Sequence, residues 1–325
     1  MATLPTHSQR AHGATGIDVR ASLDADLAPA YAHCRRLTRR ASKSFSLAAR
    51  LLPAPKRRAI EALYAFARTS DDTVDVAGDP VEALELWIAR IHGAGEDDLV
   101  LRAWSNTSSR FGVPRGLVDD LLAGVAMDLA IDRYTTFEEL ELYCYRVASV
   151  VGLLSMHIIG FEPGAEPYAI QLGIALQLTN ILRDIGEDAA RGRIYLPLED
   201  LERFRVREAD ILDGVRSANV RALLQWEIDR AEALYQASWP GVVMLHRDGQ
   251  MAVAAAALLY RAILPKIVAN DYDVWGRRAF VPLGEKLLLL PHIRLRLAAL
   301  RRGDTHLPTL TWPAPSRAAP LRSTQ

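Results

Sequence analysis

The stretch Gln177-Leu-Thr-Asn180-Ile-Leu-Arg183-Asp184-Ile-Gly-Glu-Asp188 decides how this chain is read. It sits in a segment, about Tyr168 to Ala190, whose Ile170, Ile174, Leu178, Ile181 and Ile185 recur at helical spacing. Gln177, Asn180, Asp184 and Asp188 fall at i, i+3, i+7 and i+11, a separate face of the same helix. An apolar, core-type helix therefore carries a full row of amide and carboxylate groups. Stacked carboxylates repel one another, and burying them without partners costs more than a domain can spare. Either the row faces solvent, or a cation neutralises it.

A second row stands on another predicted helix, about Lys56 to Val76. There Tyr64, Arg68, Asp71 and Asp75 share one face, with Asp72 adjacent. Each row has an arginine beside it, Arg68 or Arg183. Solvated helix faces mix Glu with Lys; these use Asp, Asn and Gln, shorter groups that fit close to a metal. Oxygen-only ligands suit a hard cation, Mg²⁺ or alternatively Mn²⁺. Carboxylates four residues apart on a helix are separated by about 6 Å along its axis, so they can grip ions that also touch a phosphate. Two such helices facing across a cavity would clamp a diphosphate and make it a leaving group. With aliphatic walls, the natural passenger is an allylic prenyl diphosphate, whose carbocation only a water-poor pocket protects.

The rest of the 325 residues agrees with a soluble helical enzyme. Lys and Arg together equal Asp and Glu, 39 each, which excludes a global basic field for nucleic acid. Two cysteines, Cys34 and Cys144, are too few for a disulfide scaffold or a Cys-rich zinc site. Met1 to Gly16 lacks the apolar core of a signal peptide, and no apolar run approaches the roughly 20 residues of a membrane span. A reducing, cytoplasmic location is expected. Pro and Gly break the chain into segments of helical length. The expected organisation is a disordered arm over 1–24, one all-α domain of about ten helices over 25–302, and a loose Pro-rich tail over 303–325. The Leu- and Arg-rich segment Leu287–Arg302 reads either as a helix packed on the domain or as one lying on an anionic membrane surface. Oligomeric state is not legible.

Four motifs in order resemble the squalene/phytoene synthase family over about residues 30 to 295. Tyr64 to Asp75 resembles its first aspartate-rich motif. Gln177 to Asp188, followed by Arg191-Gly-Arg193-Ile-Tyr195-Leu-Pro197, resembles the second. Ser42-Lys43-Ser44-Phe45 resembles its N-terminal signature, and Tyr143 to Gly152 its central helix. The resemblance implies a class I isoprenoid synthase fold, with helices around a central cavity, and Mg²⁺-dependent head-to-head (1'-1) condensation of two prenyl diphosphates. It implies metal ligation by Asp71, Asp75, Asn180, Asp184 and Asp188, with Asp72 less direct. It places Tyr64, Arg68, Tyr143 and Arg183 at the reaction centre, and Ser42, Lys43, Phe45, Gln177, Tyr260 and Arg277 against substrate, with Arg278 as the alternative to Arg277.

The C-terminal run Asn270 to Arg278 is more similar to phytoene synthases than to squalene synthases. The expected product is thus 15-cis-phytoene from two geranylgeranyl diphosphates, without NADPH. The alternatives are a C30 synthase using farnesyl diphosphate (dehydrosqualene, presqualene diphosphate or squalene) and a non-catalytic prenyl-lipid-binding subunit. Retention of the acidic rows weighs against the last. One departure stands out: the family's central motif has Gly where this chain has Ser149. The serine either reshapes the channel or is a small-for-small replacement. Taken alone, Tyr64 and Tyr143 also read as core aromatics, and Arg191 and Arg193 as helix caps.

Overall fold

The computed structural model describes residues 27–74, 78–93 and 97–308. In chain order these form α1 (Ala28–Ala41), α2 (Lys43–Ala49), α3 (Ala54–Asp72), α4 (Pro80–His92), α5 (Leu99–Arg110), α6 (Arg115–Ala130) and α7 (Phe137–Cys144). A π-helical turn, Tyr145–Ser149, joins α7 to α8 (Val150–Ile159) without a break. Then come α9 (Glu166–Ala190), α10 (Leu198–Arg203), α11 (Glu208–Leu212) and α12 (Ala218–Ser238). A 3₁₀ turn, Trp239–Met244, leads to α13 (Arg247–Arg261), α14 (Leu264–Ala269) and α15 (Leu283–Leu300). The fold is all-α. Among the described residues the only β pairings are two isolated bridges, Arg133 with Ile194 and Phe161 with Leu245.

More helices appear than the ten expected, because α2, α10, α11 and α14 are each seven residues or fewer. Such lengths are too short to show a period. Local chemistry sets their ends. Ser42 separates α1 from α2 with extended dihedrals, and its hydroxyl caps α2 by accepting the Phe45 N–H at 3.2 Å. The same serine heads the N-terminal signature, so that motif is both a cap and a wall of the site. Helix α3 ends at Asp72, short of the expected Val76: the Thr73 hydroxyl donates to the Ser70 carbonyl at 2.6 Å. Asp75 lies outside the described residues.

Two cores flank α9. One gathers α7, α9, α12, α13 and α15 around Leu178, Leu182, Leu224 and Leu259. The other gathers α1, α3, α5, α6 and α8 around Leu63, Phe66, Trp104 and Leu154. A cavity opens along their seam. Its walls come from α2, α3, α8, α9, the 3₁₀ turn and α13, and it holds about 970 Å³ of empty space up to its open mouth. Close contacts set its shape. A Cβ at Gly173 would sit 2.3 Å from the Ser149 Cα, so glycine is what lets α9 touch the π turn. A Cβ at Gly186 would sit 2.7 Å from the Trp275 Cα, so glycine also admits the loop before α15 onto α9.

Two expectations change. Helical runs Phe137–Ile159 and Arg247–Ala269 have the length and mean hydropathy (1.5 and 1.7) of a membrane span. Both serve as core helices, with 56% and 61% of the respective windows buried. The start of the predicted loose tail is pinned: Leu307 is buried and donates its N–H to Gln236 Oε1 at 2.7 Å, and Arg261 reaches the Pro308 carbonyl at 3.1 Å. The expected arm over 1–24 and the remaining tail, 309–325, lie outside the described residues. Cys34 and Cys144 are buried free thiols.

Candidate active site

The α9 row continues along the helix beyond Leu172, Gly173 and Leu176, which line the cavity, and Gln177, Asn180, Asp184 and Asp188 are half-buried. Asn180 Nδ2 donates to Gln177 Oε1 at 3.3 Å. Arg183 forks onto its neighbour Asp184, Nε to Oδ1 at 2.8 Å and Nη2 to Oδ2 at 2.5 Å. Arg278 arrives from the loop before α15, bonding Asp184 Oδ1 at 2.9 Å and Glu187 Oε1 at 3.2 Å. Arg278 therefore reaches the acidic row; Arg277 is exposed and does not. The physical reason is the seat of Val274 and Trp275 on Gly186, which fixes which of two adjacent arginines turns inward. Asp188, one turn further, has its carboxyl pushed up to about 7, first by burial and then by the charge of Asp184.

On α3, Arg68 pairs with Asp72 at 2.5 Å across one turn. Both helices end against the ordinary electrostatic rule. The last turn of α3 is Ser-Asp-Asp and that of α9 holds Glu187 and Asp188, and neither contains a basic residue. Carboxylates there add to the negative end of the helix dipole. Among the described residues no three His, Cys, Asp or Glu side chains converge on one point. Such donor sets fit hard divalent ions that share ligands with a diphosphate, as opposed to an all-protein cage.

Hydroxyl groups link the two rows. Ser42 Oγ and Tyr260 Oη stand 3.2 Å apart. The Tyr64 hydroxyl is driven well above the usual phenol range by burial and then by Tyr260, and it also feels Arg68 and Asp71. Tyr260 acts in turn on Arg183. The ring of Tyr64 lies 4.5 Å from that of Phe45, which lines the channel. Lys43 is exposed at the start of α2.

Tyr143 goes elsewhere. It donates to Asp128 Oδ2 at 3.1 Å, Tyr195 donates to Oδ1 at 2.9 Å, and Arg193 bonds the Asp128 carbonyl at 2.9 Å. Tyr134 stacks on both tyrosines, 5.5 and 5.9 Å away. Arg193 thus ties the loop after α9 to the end of α6, and its backbone N–H also caps α9 by donating to the Asp188 carbonyl at 2.9 Å. Asp128 was not foreseen; its signal was a single acid among the apolar residues of Leu121–Ile131. Lys286 was missed too. It is buried in α15, and burial together with the Lys43 ammonium lowers its pKa. Its signal was a lysine on the buried face of a Leu-rich helix.

Ser149 is fully buried and donates to the Ile170 carbonyl at 2.7 Å. It faces α9; Ala148 and Gly152 face the channel. The serine side chain therefore packs against α9 and does not line the channel.

The squalene/phytoene synthase family model matches residues 38–285. The chain belongs to that family. It is 44% identical over 296 residues to the 15-cis-phytoene synthase of Synechocystis sp., spanning 85% of this chain and 88% of the relative. It is 41% identical to that of Synechococcus elongatus, spanning 85% and 96%. Among solved structures, a dehydrosqualene synthase in complex with a ligand superposes with a TM-score of 0.79 at 32% identity, covering 84% of this chain and 98% of that one. As a squalene/phytoene synthase fold, the bundle has its seam cavity and two acidic helix ends in a shared architecture.

Proposed function

We propose that this chain joins two geranylgeranyl diphosphates head to head, through prephytoene diphosphate, to 15-cis-phytoene, releasing two diphosphates. The observation that carries this reading is an apolar channel lined by Leu172, Gly173 and Leu176 of α9, the same helix that carries the acidic row further along. The relatives named 15-cis-phytoene synthase support the substrate and product. Small residues such as Ala48, Ala148, Gly152, Ala169, Ala252 and Ala256 line the channel and leave room for a long polyprenyl tail.

Each part of the mouth has a task. Asp71, Asp75, Asn180, Asp184 and Asp188 would hold Mg²⁺, which would supply charge neutralisation for the departing diphosphate. Arg68, Arg183 and Arg278 bind and orient the diphosphates, with Lys43 and Lys286 as further cations. When the first diphosphate leaves, the allylic cation lies among aliphatic walls that exclude water, and the second substrate's double bond attacks it. Phe45 and Tyr64 offer ring faces to cationic carbon. Ser42, Tyr260 and Gln177 fix the reacting ends by hydrogen bonding. Tyr64 and Tyr143 stay protonated because burial raises their pKa values. They are therefore not bases, and the released diphosphate takes the final proton. No hydride step is required, so NADPH is not consumed.

The exposed apolar residues Phe280, Leu283, Leu287 and Leu288 beside Arg277 and Arg278 support contact of a cytoplasmic enzyme with a membrane that receives the hydrocarbon. Flotation with anionic liposomes tests that contact. For the reaction, purified protein is incubated with Mg²⁺ and either geranylgeranyl or farnesyl diphosphate, without NADPH. A C40 triene from the C20 donor is expected. A C30 product from the C15 donor alone would overturn the chain length, and no diphosphate release from either donor would overturn the enzyme.

A further inference from the structure

The short helix α2 has a second face. Phe45, Ala48, Ala49 and Leu52 line the channel, whereas Ser46 and Arg50 turn to a different pocket. There α1 contributes Arg35 and Arg39, and α3 contributes Arg57 and Glu61. Four guanidinium groups thus surround one concave site whose only acid among the described residues is Glu61, three positive charges more than that acid offsets.

Several arginines elsewhere are neutralised by a carboxylate. Arg133 meets Glu208 at 2.7 Å, Arg261 meets Glu232 at 2.6 Å, and Arg230 holds both Asp200 and Glu227. None of Arg35, Arg39, Arg50 and Arg57 makes an ion pair or hydrogen bond through its side chain among the described residues. Glu61 is 3% exposed, and its carboxylate has no hydrogen-bond partner among them either. Burial pushes that carboxyl up, while Arg57, Arg35 and Arg50 pull it down, so the guanidiniums lie near it without touching it. Converging like charges are destabilising unless something stands between them. Planar guanidinium forks match phosphate oxygens, and the buried Ser46 hydroxyl adds a donor at the same site.

We propose that this pocket binds a phosphate-type polyanion, separate from the diphosphates at the catalytic mouth, and thereby fixes the helix that presents Phe45 to the channel. Two sources share the chemistry: free inorganic diphosphate and the phosphate headgroup of an anionic lipid. Glu61 competes with the incoming anion, so the site selects ligands that several guanidiniums grip at once. The proposal does not depend on turnover or on the substrate's chain length.

The test titrates the intact protein with sodium diphosphate in EDTA at low ionic strength, by calorimetry. In parallel it floats the protein on phosphatidylcholine vesicles with and without phosphatidylglycerol. Arg39→Ala/Arg50→Ala, two exposed positions, should weaken binding at least tenfold in one arm. Glu61→Gln should tighten it several-fold in the same arm, and salt should weaken it. A loss confined to diphosphate assigns the free anion; a loss confined to phosphatidylglycerol vesicles assigns the headgroup. Arg278→Ala, at the catalytic mouth, should leave this binding unchanged. The proposal is overturned if wild type binds neither probe, or if the double variant and Glu61→Gln bind both as wild type does. It is likewise overturned if Arg278→Ala alone removes the binding.

Discussion

The ends of α3 and α9 present the same kind of chemistry in two mechanical settings. On α9 the row lies within a long helix, and Asp184 is held by Arg183 and Arg278 before any ligand arrives. On α3 the helix stops at Asp72, and Arg68 pairs with Asp72 within the same helix. The α9 side is a preset anvil, positioned by packing on α12 and by the loop seated on Gly186. The α3 side owes its geometry to the last turn of a helix and the residues that follow. The contrast teaches that the same residue types can be held by tertiary packing on one helix and by the local helical turn on another.

The sharpest way to break this comparison is to remove one carboxylate from each side. Asp71→Ala and Asp184→Ala should each lower Mg²⁺-dependent diphosphate release by roughly 10³-fold. Near-normal release in both would dissolve the clamp. Next in size, Arg278→Ala should lower kcat/KM by roughly 10- to 100-fold through loss of a charge-assisted fork, whereas Arg277→Ala should stay within about twofold. Equal effects would mean that the seat of Trp275 on Gly186 does not choose between them.

The channel offers a finer cut. Ala256→Phe fills space between α13 and the opposite wall and should shift products from C40 toward C30, read by mass spectrometry with both donors. Ser149→Gly should leave product length unchanged and cost about 1 kcal/mol of stability, from the lost bond to the Ile170 carbonyl. The smallest expected effect is a pH slope. Glu227 and Asp200 are both buried and share Arg230, and Glu227 is pushed up to about 8, chiefly by burial. A carboxyl raised above its unfolded value contributes stability that is present at acid pH and lost as pH rises through about 8. Thermal melts from pH 6 to 9 should show that decline, and Glu227→Gln should flatten it.

Much of the site was readable because helical periodicity is a strong signal. Asn180, Asp184 and Asp188 fall on one face whatever surrounds them, and α9 forms as expected. The choice of Arg278 over Arg277, and the parts played by Lys286 and Asp128, were not readable, for a common reason: each acts from an element whose placement depends on a distant contact. Arg278 depends on Gly186, Asp128 on Tyr143 and Tyr195, and Lys286 on burial of one face of α15. Ser149 shows the converse. A departure visible in sequence left two readings open, and the π turn points the side chain at α9.

By itself the sequence determined the all-α class, the two acid-bearing helices and the oxygen-donor chemistry. These follow from spacing along one chain, and the 3.6-residue turn converts spacing into faces without reference to anything else. Tertiary structure alone decided where the two cores meet and how wide the seam between them stays. It also decided which arginine turns inward, and that four arginines from three helices converge behind α2. Those outcomes depend on close approach between segments as far apart in sequence as Ser42 and Tyr260, and only packing brings such segments together.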